Sequence, residues 1–109
     1  MSLHAEAYKE LDATYRLIQN YLDSTMLTPD QESLILQCEA YGEQIYRYNR
    51  ALIEKQSALL DSREEDVQSL LKLAKTARKS LEEVTEHAET VAKIARGLDK
   101  LLKQLAKFV

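Results

Sequence analysis

The chain has 109 residues, 45% of them hydrophobic and 30% charged, with a formal net charge of −3. That size suits one domain with a modest core, and two glycines with one proline leave little turn material for a sheet or a loop-built catalytic site. The acidic balance speaks against general nucleic-acid binding, which needs a basic footprint, and the single cysteine, Cys38, excludes an intrachain disulfide framework.

The first helix is predicted over about residues 3–24. Tyr8, Leu11, Tyr15, Ile18 and Leu22 recur at spacings of three and four, and Leu17 and Tyr21 widen that face. A strong boundary follows. Thr28 is an N-cap residue, Pro29 suits the first helical position, and Gln31 completes a capping box. The second helix is predicted from Pro29 to about Leu60, carrying Leu34, Cys38, Tyr41, Ile45, Tyr48, Leu52 and Leu59 on one stripe that only Lys55 breaks. Cys38 on that stripe reads as a buried, unreactive thiol.

The second stripe and the next are out of phase by one residue across Asp61-Ser62-Arg63-Glu64-Glu65, where Ser62 and Glu65 suggest a second capping box. A reversal is expected there, with a bent continuous helix as the alternative, since no glycine or proline enforces the stop. From Val67 to Val109 the apolar positions are Val67, Leu70, Ala74, Ala77, Leu81, Val84, Ala88, Val91, Ala95, Leu98, Leu102, Leu105 and Val109, an unbroken heptad. The segment reads as one coiled-coil-like helix over about residues 63–108, and its heptad stretch from Val67 to Val109 alone would be roughly 65 Å long. The expected fold is therefore all-α: a single domain over residues 1–109, an elongated antiparallel three-helix bundle running up, down and up.

The third helix would outrun its neighbours. Leu98, Leu101, Leu102, Leu105, Phe108 and Val109 would then project past the bundle, an apolar stripe too large to leave in water. They are the expected oligomer or partner interface, unless the chain folds back at Gly97. A smaller exposed patch is expected at Tyr46, Arg47 and Arg50, a composition common at interface hot spots.

Chemistry-bearing patterns are sparse. His87 follows Glu83 by four residues, but Val84 stands where a Glu-x-x-His di-metal motif needs its carboxylate. His4 has no nearby ligand pattern. No zinc, phosphate-loop or nucleophile-elbow motif is present, so no catalytic residue, metal or cofactor is expected. Charge on the third segment runs in blocks, acidic over 64–66, basic over 72–79, acidic over 82–89 and basic over 93–107. Two antiparallel copies of that helix centred near residue 80 would match basic blocks to acidic ones.

The functional expectation is a cytoplasmic, non-enzymatic protein–protein interaction module of adaptor, assembly or chaperone-like character. It would self-associate as a homodimer or higher oligomer through the third helix and engage another protein, with no nucleic acid. One alternative is a peripheral membrane binder using the basic amphipathic C-terminal helix. Another is a small inhibitor of a nucleic-acid-binding protein.

Overall fold

A helix with one apolar stripe must cover it, and several such helices do so by surrounding a common core. The computed structural model describes residues 2–83 and 85–109, and among these the chain is all-helical. Its elements are α1 (Leu3–Ser24), a 3-10 turn (Pro29–Gln31), α2 (Ser33–Ile53), α3 (Ser57–Leu60), α4 (Glu64–Glu82) and α5 (His87–Leu105).

Two hairpins, α1–α2 and α4–α5, stack face to face. Antiparallel α1–α2 packing is marked by the Tyr41 hydroxyl donating to the Leu11 carbonyl (2.7 Å) and by the bond between His4 and Tyr48. Lys93 reaching Ser80 marks the antiparallel α4–α5 pair. Between layers, α1 lies on α4 and α2 on α5. Gln37 donates to the Ala95 carbonyl while Gln31 lies against His87, so α2 and α5 run parallel. The body measures 42 × 22 × 19 Å, well short of a 65 Å rod.

The third helix expected over 63–108 is two helices. The chain leaves helical geometry after Glu82 and re-enters at His87, with Glu86 extended at the N-cap (φ −63°, ψ 153°). Val84, a heptad position, lies outside the described residues. The break lies before Gly97, which sits inside α5, and it replaces both the three-helix bundle and the single coiled-coil-like helix.

Folding back buries Ile94, Leu98, Leu101 and Leu105, each worth roughly 1.5–3 kcal/mol. A continuous helix would retain a few more backbone hydrogen bonds, worth about 0.5–1.5 kcal/mol each. Burial wins. The sequence also weakens helix at that point: Glu82, Glu83, Glu86 and Glu89 repel at helical spacings, and Val84-Thr85 is β-branched.

The other boundaries shift for local reasons. The predicted box at Thr28 forms, the Thr28 N–H donating to Gln31 Oε1 at 3.1 Å, but it opens a 3-10 turn and α2 begins at Ser33. The second helix ends at Ile53 rather than Leu60. Lys55 adopts φ 52°, the Lys55 N–H donates to the Leu52 carbonyl, and the Gln56 N–H donates to the Ala51 carbonyl. This is a Schellman stop with lysine in glycine's usual place. The Ser62–Glu65 box is not the cap either: α4 starts after Arg63, which makes no side-chain cap.

The core shifts slightly around α1. Ala7, Leu11, Thr14 and Ile18 point inward, while Tyr8 and Tyr15 flank them. Small residues Ala7, Thr14 and Ala74 let α1 and α4 approach, and the Thr14 hydroxyl donates to the Glu10 carbonyl at 2.8 Å. Gly42 leaves room for Tyr15, whose Cε1 would stand 2.9 Å from a Cβ there.

Candidate interaction surface

The C-terminal stripe has an intrachain partner. Leu98, Leu101 and Leu105 are buried in the core, and Leu102, Phe108 and Val109 pack half-buried against it. The picture of six side chains projecting past the bundle is corrected: the reversal between Glu82 and His87 turns α5 back along α2 and α4, where these side chains replace water with core. Phe108 closes the end of the bundle, meeting His4 and Tyr48 edge-on with ring centroids 6.0 and 6.1 Å away.

His4 belongs to that same closure. A carbonyl only accepts, so His4 Nε2–H donates to the Leu59 carbonyl (3.1 Å), and Nδ1 accepts from the Tyr48 hydroxyl. Burial lowers the His4 pKa, with the Leu59 bond acting in the opposite direction. Burial also pushes the Tyr41 and Tyr48 phenols well above their usual range. His87 stacks on Tyr21 at the other end, bonded to its hydroxyl and lying 3.4 Å from Gln31 Oε1. It joins α1, the 3-10 turn and α5, a role that spacing alone did not suggest. Cys38 is buried with Sγ 3.7 Å from Gln19 Oε1. Burial first, then Glu39 and Asp23, raises its thiol pKa and disfavours the reactive thiolate.

Among the described residues, no three His, Cys, Asp or Glu side chains are grouped to hold a metal ion, and no helix is long and apolar enough to cross a membrane.

The exposed large apolar side chains among the described residues are Met26, Ile35, Leu36, Tyr46, Ile53 and Leu60. Four lie on α2; Met26 precedes that helix and Leu60 is on α3 just beyond it. Leu36, Glu39, Glu43, Tyr46, Arg50 and Ile53 recur at spacings of three and four, forming a second stripe on the outer side of α2. Leu36, Tyr46 and Ile53 are 68, 65 and 72% exposed. Of the expected patch, Tyr46 lies on this stripe beside Arg47, which pairs with Glu43 at 2.7 Å, and Arg50, which pairs with Glu54 at 2.9 Å. Both pairs are solvated and contribute little to stability. Between α1 and α2 an open groove of about 380 Å³ carries Tyr8, Asp12, Tyr15, Glu39, Glu43 and Tyr46.

The opposite broad face is basic. Residues 67–81 hold Lys72, Lys75, Arg78 and Lys79 without an acid, and residues 90–109 hold five cations against Asp99. The reversal sets these two blocks side by side. A cavity of about 130 Å³ opens between α4 and α5 with Lys93, Arg96 and Lys100 on its rim. Lys93 lies 3.5 Å from the Ser80 carbonyl and 3.7 Å from Glu83, and Lys103 pairs with Asp99 at 3.1 Å. Reading the third segment as one straight helix hides this face. The signal was present: two basic blocks flank a stretch whose carboxylates repel at helical spacings and which carries the β-branched pair Val84-Thr85.

No family model, curated protein or solved structure matches this chain.

Proposed function

We propose that this chain is a non-enzymatic protein–protein interaction module, adaptor-like or assembly-directed, that self-associates and presents a helical face to a partner. One observation carries the reading: the large apolar side chains left in water gather on and around α2, while most of the other large apolar side chains described pack in one core. Exposed apolar side chains interleaved with arginine and tyrosine fit an interface better than a solvated face. The working face in this reading is the outer side of α2; the C-terminal stripe serves the monomer.

The test is light scattering on the full chain beside the double variant Leu36→Ser, Tyr46→Ser, with helicity checked for both. The expected result is a parent mass above the 12.5 kDa monomer and a variant shifted to monomer, its affinity reduced about tenfold or more. Assembly unchanged by the double variant would remove α2 as the working face.

A second reading, peripheral attachment to an anionic membrane surface, is favoured by the basic face of α4 and α5. The apolar side of α5 is in the core, so attachment would be electrostatic and released by salt.

A further inference from the structure

We infer that the self-association is directional: the outer stripe of α2 in one copy seats in the α4–α5 groove of the next. This rests on the self-association reading above and specifies its geometry.

The two surfaces are complementary in charge and polarity. On α2, Glu39 and Glu43 are exposed and four residues apart, bracketed by exposed Leu36 and Tyr46; Glu43 exchanges its solvated pair with Arg47 for the contact. On α5, Arg96 and Lys100 are exposed, also four residues apart, and neither forms an ion pair among the described residues. Residues four apart on a helix stand about 6 Å apart on one face, so the two carboxylates match the two cations in spacing. Beside the cations the cavity is lined by apolar Ile18, Leu73, Ala77 and Leu101, with the hydroxyls of Thr14, Thr76 and Ser80 among them. It offers cover to Leu36 or Tyr46. Gly97 also lines the groove, and a Cβ added there would meet Ala77 at 3.9 Å, an ordinary contact.

Position then determines the form of the assembly. The α2 stripe lies on the outer side of one hairpin and the groove on the outer side of the other. Two copies related by a two-fold axis cannot satisfy both surfaces of both molecules. The contact is heterologous, and growth continues front to back rather than stopping at a dimer.

Sedimentation velocity over a concentration series reads this directly, at about 50 mM and about 500 mM NaCl, where screening lengths differ severalfold. The variants are Glu39→Lys with Glu43→Lys, and Arg96→Glu with Lys100→Glu, all at exposed helical positions, with far-UV circular dichroism confirming each fold. The parent is expected to grow past dimer with concentration and to dissociate in high salt. Each charge-reversed variant alone should be monomeric, its self-affinity reduced about tenfold or more. An equimolar mixture of the two should assemble past dimer with the copies alternating, because the intact stripe of one fits the intact groove of the other and the reversed stripe fits the reversed groove. The chain carrying all four substitutions should assemble again.

Association of the parent that ignores salt and both reversals would overturn the directional contact and leave self-association standing. A parent that is monomeric throughout would overturn both. A monomeric parent that floats with vesicles containing phosphatidylserine, and loses this on Arg96→Glu with Lys100→Glu, would assign the basic groove to a lipid surface instead.

Discussion

His4 sits where four parts of the chain meet, beside Tyr48 of α2, Leu59 of α3 and Phe108 after α5. Its Nδ1 must be unprotonated to accept from Tyr48. The native pKa is lowered from 6.5 by burial, so the unfolded chain binds more protons as pH falls through 6.5 toward the native value. The sign follows from linkage: stability from this residue is full above 6.5 and is lost on acidification below it. Melting temperature measured from about pH 8 to about pH 5 should therefore fall, and His4→Gln should remove the part arising at this site. At neutral pH the variant should be less stable by about 1 kcal/mol, the net worth of a hydrogen bond. An unchanged acid slope in His4→Gln would place the pH dependence elsewhere. No motif around His4 foretold this, because its partners lie 44 and 55 residues away in sequence.

Element boundaries were legible where a side chain dictates them and hidden where the backbone alone does. Thr28-Pro29-Asp30-Gln31 announces its own turn, since the capping chemistry is local. The end of α2 carries no such mark. Lys55 takes the left-handed conformation, which for a residue with a Cβ costs roughly 1–2 kcal/mol, and the two Schellman hydrogen bonds hold it there. Only the interruption of the apolar stripe at Lys55 hinted at the stop. Lys55→Gly relieves that conformation while giving back some entropy to the unfolded chain. It should raise the free energy of unfolding in urea by about 0.5–1 kcal/mol. A loss of stability would mean that the lysine side chain, rather than the backbone geometry, supports the junction.

At the scale of the whole molecule, α5 completes the core. Leu98 is fully buried with Leu101 and Leu105, in contact with the rest of the cluster. Leu98→Ala should cost about 2–5 kcal/mol, the range for truncating a buried leucine, and a chain ending at Arg96 should lose cooperative melting altogether. Both are read by denaturant or thermal unfolding at low protein concentration. Were these residues an oligomer interface alone, the monomer would keep its stability and only its mass distribution would move. The same reversal also gives the two broad faces unlike charge. Residues 1–63 sum to −4 (six cations, ten acids) and residues 64–109 to +1 (nine cations, eight acids), matching the total of −3. Most acids of the second half lie toward the ends of its helices, leaving the middle of that face basic.

Sequence alone determined the all-helical class, the apolar faces and the turn before α2, because periodicity and capping depend on residues within one or two turns of each other. It also brought Tyr46, Arg47 and Arg50 forward, since residues off a buried stripe tend to face water. What it left undecided was whether a heptad running in phase from Val67 to Val109 is one helix or two. The pattern is the same either way, for a stripe that suits a partner helix also suits the chain's own core. Tertiary structure decided for two, because burying Ile94, Leu98, Leu101 and Leu105 outweighs the few hydrogen bonds surrendered at the break.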